Sequence, residues 1–407
     1  MNHYSRHVRT PIAVVVGTGS NPLGAIRSLH RVKIPTVIVT GSKNDPAFHS
    51  RYPLHRIVVP KSDNRDATLL SVLESLPYDR PVLIPTNDYL VSLVVRNSER
   101  LSSRFDFCTP EPDLAETLLD KARETELVRK SGVPIPKTFL NLDSMYPDMR
   151  ETVQFPIMIK PKTTWYAKRF GAKNRVVRSP EELCAILKTH EDMLDCLLIQ
   201  EVIPGDDSQQ WVCNCTFSRS HELISAFVFR RLHLSPAHRG VTTYAISESN
   251  QQVLSLVASL GRELQYVGPA MVEFKFDHRD KLYKYLEINP RIGLCNFFDT
   301  TCGVNNVYQT YRLAAGESVE SGHLGQRDGV MYLSLASDLY ARFEDGEQLT
   351  SILYEYLSNA WRPHVGPYFS LADGHPALTT GAALLGMLTH GLWKAAMRRF
   401  TTNNRNH

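Results

Sequence analysis

Long apolar runs, internal repeats and low-complexity segments are missing from this chain of 407 residues. The apolar stretch after the basic N-terminus, Ile12 to Val16, is too short for a secretory signal or a membrane-spanning helix. A large basic surplus is missing as well, because 46 Lys and Arg face 42 Asp and Glu, a net charge of +4. So small a surplus argues against a nucleic acid as partner.

Paired cysteine motifs are also absent. The seven cysteines are scattered along the sequence, and no two of them form a C-x-x-C pair. An odd, scattered set predicts reduced thiols, and therefore a cytoplasmic location rather than a disulfide framework. The length exceeds one typical core, so we expect two or three domains. Hydrophobic content of 43% and charged content of 22% are ordinary for a globular enzyme.

The beginning of the chain predicts a parallel sheet. Strand patterns at 12–16 and 35–39 flank a glycine-rich turn and a helix, which together indicate a βαβ unit, and a third strand follows at 81–84. The turn matches a nicotinamide-cofactor fingerprint poorly, because Pro22 stands at the third glycine position and no acid follows Val39. A NAD-binding oxidoreductase is therefore disfavoured.

The stretch from Met271 to Gly293 concentrates polar groups on two predicted strands joined by a tight turn. Alternation puts Glu273 on the charged face of the first strand. In the second strand it groups four side chains on one face, with Leu286 and Ile288 pointing away: Tyr283, Tyr285, Glu287 and Asn289. Carboxylate and amide oxygens of this kind hold Mg²⁺ together with substrate phosphates. A solvated charged face is the alternative.

Further elements precede this hairpin. We expect one helix over residues 113–131, and a strand, 155–160, that ends in Lys160 before a proline. A basic loop, Thr163 to Lys173, and a hinge, Gln200 to Gly205, follow. Helical apolar spacing covers 251–264.

The order of these features, closed by E-x-N-P-R at Glu287 to Arg291, resembles the ATP-grasp superfamily over residues 11–316. Within it, the chain is most similar to predicted carboxylate–amine ligases of the D-aspartate ligase-like group. Four short stretches carry the closer similarity: Ser50–Tyr52, Asp120–Lys121, Gly132–Pro136 and Gln200–Gly205. The motifs are short, and their order and spacing together make the resemblance specific.

The resemblance implies an α/β chain with an ATP-grasp fold that is α+β in its catalytic part. We expect a Rossmann-like parallel-sheet domain at 1–110, the ATP-grasp domain at 111–330 with a small lobe at about 135–202, and a C-terminal extension at 331–407. The extension ends in an amphipathic pattern, Ala377 to Phe400, that suits a membrane-surface helix or a helix packed on the domain or a partner. Homo-oligomerisation stays open.

The resemblance also implies roles for individual residues. The predicted ATP-binding residues are Lys121, Lys160, Gln200, Glu201, Val202, Ile203 and Asp207. The predicted ligands of Mg²⁺, for which Mn²⁺ can substitute, are Glu273, Glu287 and Asn289. Arg291 is expected to bind substrate and to act in catalysis with Lys160. Arg230 and Arg231 are candidates for the substrate carboxylate or for a structural ion-pair face.

Two hinge residues depart from the family pattern. The family often has Glu where Gln200 stands, and a longer acid where Asp207 stands.

The function implied is an ATP-dependent ligase that joins a carboxylate to an amine through an acyl-phosphate and releases ADP and phosphate. The partners expected are small carboxylates and amines of amino-acid or peptide-like type. The alternatives are an ATP-grasp kinase, a carboxylate–thiol ligase and a non-catalytic ATP-binding regulator. No residue pattern identifies a general base for the amine.

Overall fold

The computed structural model describes residues 10–140, 142, 153–319 and 325–381. Its first sheet is parallel, in the order β3–β2–β1–β4. The strands are β1 (Ala13–Val16), β2 (Thr36–Thr40), β3 (His55–Val58) and β4 (Val82–Pro85). All but β3 are buried along their whole length, as expected of Val- and Ile-rich strands covered on both faces. The edge strand β3 was not predicted, because it begins with two exposed polar residues.

Four helices accompany this sheet: α1 (Ser20–His30), α2 (Arg65–Glu74), α3 (Asp88–Arg96) and α4 (Ser98–Ser102). The turn before α1 needs glycine for packing, since Gly17 has a φ of 149° and a Cβ there would lie 1.9 Å from Thr86 Oγ1. Asn87 caps α3 by accepting a hydrogen bond from Leu90 N–H, which makes Asp88 the first residue of the helix.

The single helix predicted over 113–131 is wrong, because the structure has two helices there. They are α5 (Pro112–Leu118) and α6 (Lys121–Lys130). Asp120 breaks the run, since its carboxylate accepts hydrogen bonds from the N–H groups of Ala122 and Arg123 and so starts a new helix. Lys121 consequently stands at the first position of α6.

A second sheet, antiparallel and in the order β5–β8–β6–β7, lies within the predicted small lobe. Its strands are β5 (Thr138–Phe139), β6 (Ile157–Pro161), β7 (Arg175–Val177) and β8 (Leu197–Glu201). Two helices, α7 (Thr164–Phe170) and α8 (Pro180–Thr189), belong to the same region. The loop predicted at Thr163 to Lys173 is therefore wrong. Thr163 caps α7, and Gly171, with a φ of 80°, closes it.

The largest sheet has seven strands in the order β13–β12–β9–β10–β11–β14–β15. The strands are β9 (Gln210–Phe217), β10 (Leu223–Ser235), β11 (Val241–Ser247), β12 (Gly268–Asp277), β13 (Leu282–Asn289), β14 (Met331–Leu333) and β15 (His364–Val365). Neighbours are antiparallel except β14 and β15. Two strands from the predicted extension, β14 and β15, thus complete this sheet. The predicted domain limits stay a prediction.

Helices that follow β11 include α9 (Gln251–Glu263), α10 (Asn296–Thr301), α11 (Asn306–Ala314), α12 (Leu335–Glu344) and α13 (Leu349–Asn359). The apolar face of α9 packs on one face of the sheet through Val253, Val257 and Leu260. Phe298 of α10 packs on the other face against Phe227. The sheet is therefore covered on both sides in the region where β9, β10 and β12 meet.

A β-bulge at Leu286 interrupts the hairpin of β12 and β13. Glu273 pairs with Glu287, but the next residue of β12, Phe274, pairs with Tyr285, so Leu286 has no opposite residue. Tyr285 therefore packs in the core beside Ile288. The predicted grouping of Tyr283 and Tyr285 with Glu287 and Asn289 is wrong, because the extra residue reverses which face each side chain takes.

The end of the described chain is anchored on α1 and on Ser50, beside the N-terminal sheet. Arg27 of α1 donates hydrogen bonds from Nε to Asp373 Oδ2 (3.0 Å) and from its Nη atoms to the carbonyls of Pro367 and Tyr368. Asp373 also accepts from Ser50 Oγ. Most of the amphipathic stretch predicted at 377–400 lies outside the described residues, and with it the prediction of membrane-surface contact. Among the helices that are described, none has the length and apolar character to cross a membrane.

We predict that Asp373→Ala destabilises the protein by about 3–5 kcal/mol, because it leaves the Arg27 guanidinium buried without its counter-charge. Both side chains of the pair are 1% exposed. Urea unfolding followed by intrinsic fluorescence measures the loss. Glu126→Ala, which breaks an exposed pair with Arg129, is the control and should cost at most about 1 kcal/mol. Equal losses in the two variants would contradict the prediction.

Candidate active site

A cleft with a cavity volume of about 2070 Å³ lies where the three sheets approach one another. Its walls come from the start of α3, from α6, from β6, α7 and β8, and from β10, β12 and β13. The cleft brings together all of the predicted site residues except Asp207 and Arg230: Lys121, Lys160, Gln200, Glu201, Val202, Ile203, Arg231, Glu273, Glu287, Asn289 and Arg291. Leu286 also lines it, because the bulge turns this side chain away from the core.

Glu287 and Lys121 face each other across the cleft wall. Lys121 Nζ lies 3.5 Å from Glu287 Oε2, and both side chains keep more than a third of their surface exposed. The positive charge of Lys121, together with that of Lys160, lowers the pKa of Glu287 to about 2 despite the desolvation that opposes it. Glu287 is therefore an anion at neutral pH, and it is open to further cations.

Glu124 is a buried acid that the sequence analysis missed. Its Oε1 accepts hydrogen bonds from the Tyr285 hydroxyl and from Ile288 N–H (2.9 Å), so it ties α6 to the bulged strand. Burial, and secondarily the charge of Glu287, raises the pKa of Glu124 to about 7. The available signal was its place one turn before the buried Val128 on α6.

Glu273 is held by Arg231. The two Nη atoms of Arg231 donate to the two carboxylate oxygens of Glu273, at 2.7 and 2.6 Å. Arg231 also donates to Gln210 Oε1 (3.0 Å) and Thr242 Oγ1 (2.9 Å). The Arg231 and Glu273 side chains are only 6% and 14% exposed. This pair is thus a fixed part of the cleft wall.

Lys160, at the end of β6, meets a neutral partner. Its Nζ donates to Gln200 Oε1 at 2.6 Å, and Gln200 Nε2 donates to Thr138 Oγ1 at 3.0 Å. Burial, with the charge of Lys121 as the next cause, lowers the pKa of Lys160 to about 8. An anion bound beside Lys160 would stabilise the protonated form of this side chain.

The hinge after β8 is bonded within the protein. Glu201 accepts a hydrogen bond from Lys137 N–H (2.9 Å) and another from Arg279 Nη2 (3.0 Å). The N–H of Val202 donates to Pro156 O at 3.3 Å. The Glu201 carboxylate is therefore engaged in holding the hinge to its neighbours, while the hinge itself lines the cleft.

Arg291 connects the hairpin to the N-terminal sheet. Its Nε donates to Asp88 Oδ1 (2.7 Å), and its Nη2 donates to Asn289 Oδ1 (2.9 Å). Asp88 faces the cleft because Asn87 caps α3. The Asp88 side chain is 44% exposed, so a substrate anion can replace it at low cost.

Asp207 and Arg230 lie outside the cleft lining. Asp207 is buried, and its Oδ1 contacts His238 Nδ1 at 3.3 Å. Arg230 Nε donates to Glu248 Oε2 at 2.8 Å. Successive residues of a strand face opposite sides, so Arg230 points away from the cleft that Arg231 lines. For Arg230 the geometry favours the structural ion pair that the sequence left open.

A divalent cation fits part of the predicted ligand set. Within the described ranges no three His, Cys, Asp or Glu side chains converge as a metal site. Glu287 and Asn289 nevertheless face the cleft together, and the donor set is one carboxylate and one amide oxygen, Asn289 Oδ1, which accepts a hydrogen bond from Arg291. Mg²⁺ is commonly bound by one or two protein oxygens, with phosphates and waters completing its shell. Glu287 and Asn289 suit that mode.

The sequence of residues 243–321 matches the family described as Carbamoyl-phosphate synthase L chain, ATP binding domain. A relative, the D-aspartate ligase of Enterococcus faecium, is 24% identical over an alignment of 315 residues that covers 72% of this chain and 74% of the relative.

Two solved structures share the fold. The biotin carboxylase domain of the 2-oxoglutarate carboxylase from Hydrogenobacter thermophilus, in complex with MgADP, ADP and bicarbonate, superposes with a TM-score of 0.63 at 17% identity, covering 78% of this chain and 73% of its own. The N5-carboxyaminoimidazole synthetase from Staphylococcus aureus, in complex with ADP, has a TM-score of 0.61 at 14% identity and covers 85% of this chain and 86% of its own.

The predicted resemblance to the ATP-grasp superfamily is confirmed by the matched family model, by this relative and by the shared fold. The predicted fold class is confirmed, and so is the predicted enzyme class, an ATP-dependent ligase. ATP as the predicted nucleotide agrees with the matched family, which is an ATP binding domain.

We predict that Glu124→Gln changes how stability depends on pH. The raised pKa means that the folded protein binds this proton more tightly than the unfolded chain, so the stabilisation is present below pH 4.5 and is lost as pH rises through about 7. Gln keeps an acceptor for Tyr285 and Ile288 but cannot ionise. The melting temperature of the wild type should therefore fall relative to the variant between pH 5.5 and 8.5.

Glu126→Gln, on the exposed side of the same helix, is the matched control and should follow the wild type. A constant difference between Glu124→Gln and the wild type across this range would show that Glu124 does not titrate there.

Proposed function

We propose that this protein is an ATP-dependent carboxylate–amine ligase that forms an amide bond through an acyl-phosphate. The observation that supports this most directly is the meeting of Lys121, Lys160 and Arg291 with Glu287 and Asn289 in one cleft. Cations from three separate elements surround the carboxylate of Glu287 and the amide of Asn289. Such an arrangement suits a triphosphate beside a second anionic substrate.

In the first step a substrate carboxylate oxygen attacks the γ-phosphorus of ATP, the bond from phosphorus to the bridging oxygen breaks, and ADP leaves. Lys160 and Lys121 offset the phosphate charge, since both line the cleft beside Glu287. Mg²⁺, which Mn²⁺ can replace, would be held by Glu287 and Asn289 and would supply further neutralisation of the phosphates. The product is the mixed anhydride of the acid and phosphate.

In the second step the amine nitrogen attacks the acyl carbon. A tetrahedral oxyanion forms, phosphate leaves, and the nitrogen gives up a proton, which completes the amide. Arg291 is the residue we assign to this stage, because exchange of its exposed partner Asp88 for the substrate frees the guanidinium for the acyl oxygens. Activation is necessary because a carboxylate is a poor electrophile at neutral pH.

The size of the cleft is consistent with several substrates at once. Its 2070 Å³ exceeds the roughly 300–1,000 Å³ of a typical small-molecule site. A nucleotide, an acid and an amine can therefore occupy it together. The name of the relative from Enterococcus faecium supports an amino acid as one of the two, and we propose amino-acid or peptide-like substrates.

We assign the N-terminal domain to residues 1–110, the ATP-grasp domain to 111–330 and the extension to 331–407. Asp88 of the N-terminal domain contacts Arg291 in the site. The seven cysteines are scattered and form no C-x-x-C pair, and we propose a reducing compartment such as the cytoplasm.

The proposal predicts that ADP release requires both an acid and an amine. A matrix of amino acids, dicarboxylates and short peptides, tested singly and in pairs with a coupled ADP assay, measures this. Phosphate should appear as free orthophosphate in amounts equal to ADP and amide. ADP release that never needs an amine, or phosphate retained on a product, would instead indicate a kinase.

Within that assay, Glu287→Gln and Lys160→Ala should each reduce ADP release by at least about a hundredfold, because each removes charge that faces the phosphates. Glu248→Gln, which removes a carboxylate on the far side of β10, is the matched control.

The low pKa of Lys160 predicts that ADP binding weakens in alkaline solution. Phosphate favours protonated Lys160, so binding is strong below the free-protein pKa of about 8 and is lost as pH rises through it. We expect affinity about tenfold weaker at pH 9 than at pH 7, measured by calorimetry. Lys160→Arg, which stays charged, should flatten the profile. The same decline in that variant would assign the effect to another group.

A further inference from the structure

Glu273 and Glu287 are paired residues of neighbouring strands, yet their environments differ sharply. The Glu287 side chain is 40% exposed to the cleft, and its nearest cation, Lys121 Nζ, lies 3.5 Å away. The Glu273 side chain is 14% exposed, and Arg231 contacts both of its oxygens at 2.6 and 2.7 Å. One carboxylate is therefore open to a new cation, and the other already has one.

The guanidinium cannot easily leave Glu273. Arg231 is 6% exposed, and it is also bonded to Gln210 Oε1 and Thr242 Oγ1. These extra acceptors hold its fork in the plane of the carboxylate. A metal ion that took the same oxygens would have to expel Arg231 and leave its charge buried without a counter-ion, which is strongly unfavourable.

We propose that Arg231 takes the place of a second divalent cation, so that this protein binds one divalent ion per nucleotide, on Glu287 and Asn289. In this arrangement Glu273 is the counter-ion of Arg231 and does not ligate metal. Arg231 supplies a fixed positive charge on the cleft wall beside the phosphates. The inference rests on the proposed function, because it presupposes that nucleotide and metal bind in this cleft.

The same geometry gives Arg231 and Arg291 different roles. Arg231 is held on three sides by protein oxygens, so it cannot turn to a substrate carboxylate. Arg291 has an exposed partner, Asp88, that a substrate can replace. Recognition of the acid therefore falls to Arg291, and Arg231 is a positioning and charge-balancing residue.

The test is the number of Mn²⁺ ions bound by the full-length protein in the presence of saturating ADP, read by electron paramagnetic resonance. We expect one bound ion per ADP and the six-line spectrum of an isolated Mn²⁺. Two ions in a shared site lie about 3.5–4 Å apart and couple magnetically, which removes that signal. The readout is independent of turnover.

Variants locate the ion. Glu273→Gln should keep one Mn²⁺ with an affinity within about twofold of the wild type, whereas Glu287→Gln should weaken it by at least about tenfold. Arg231→Met frees Glu273 and should raise the stoichiometry towards two, with loss of the six-line signal. Arg230→Met, its neighbour on the outer face of the strand, is the matched control and should keep one ion.

Two coupled ions in the wild type, or equal weakening by Glu273→Gln and Glu287→Gln, would overturn the inference and leave the proposed function standing. ADP binding without any Mn²⁺ would overturn the metal site of the proposed function and this inference with it. If Arg231→Met does not fold, the stoichiometry and the spectrum of the wild type still decide between one ion and two.

Discussion

The side chains that reach the cleft depend on one unpaired residue, Leu286. In a strand with period two, Tyr285 and Glu287 would share a face, and the core could not bury the tyrosine while the cleft received the glutamate. The bulge inserts one residue between them, so Tyr285 packs inside and Glu287 faces the cleft. The bulge also aligns the backbone N–H of Ile288 with Glu124. The hydrogen bond from Ile288 N–H to Glu124 thereby ties the strand that carries Glu287 to α6.

Three cations of the cleft, Lys121, Arg231 and Arg291, each meet a carboxylate of the protein, and these partners differ in how readily they can be exchanged. Lys121 and Arg291 meet half-exposed carboxylates, whose pairing with them is worth little in water. Arg231 meets a buried carboxylate in bidentate geometry, where separation would leave a charge without compensation. The site can therefore offer two cations to incoming anions without rearranging its wall. Preorganised charge of this kind is what phosphoryl and acyl transfer require.

The sequence predicted the hairpin, the lysine at the end of β6 and the three buried strands of the parallel sheet, because each has a periodic or punctuated local signal. It did not reveal the bulge, because apolar and polar residues continue to alternate along the strand past the inserted residue. The break at Asp120 was missed because an N-cap inside an apolar pattern looks like a helix position. The environment of Glu124 was beyond reach, because its pKa follows from tertiary burial under β13.

The hinge residue Gln200 explains the unusual state of Lys160. A glutamate, which the family often has there, would pair with the lysine and hold its pKa high. The amide gives a hydrogen bond of 2.6 Å but no negative charge, so burial and Lys121 lower the pKa to about 8. The lysine therefore lacks a counter-ion until an anion arrives. Because Gln200 departs from the family pattern, the protonation of Lys160 depends on the phosphates. The charge of Lys160 is thus coupled to nucleotide binding.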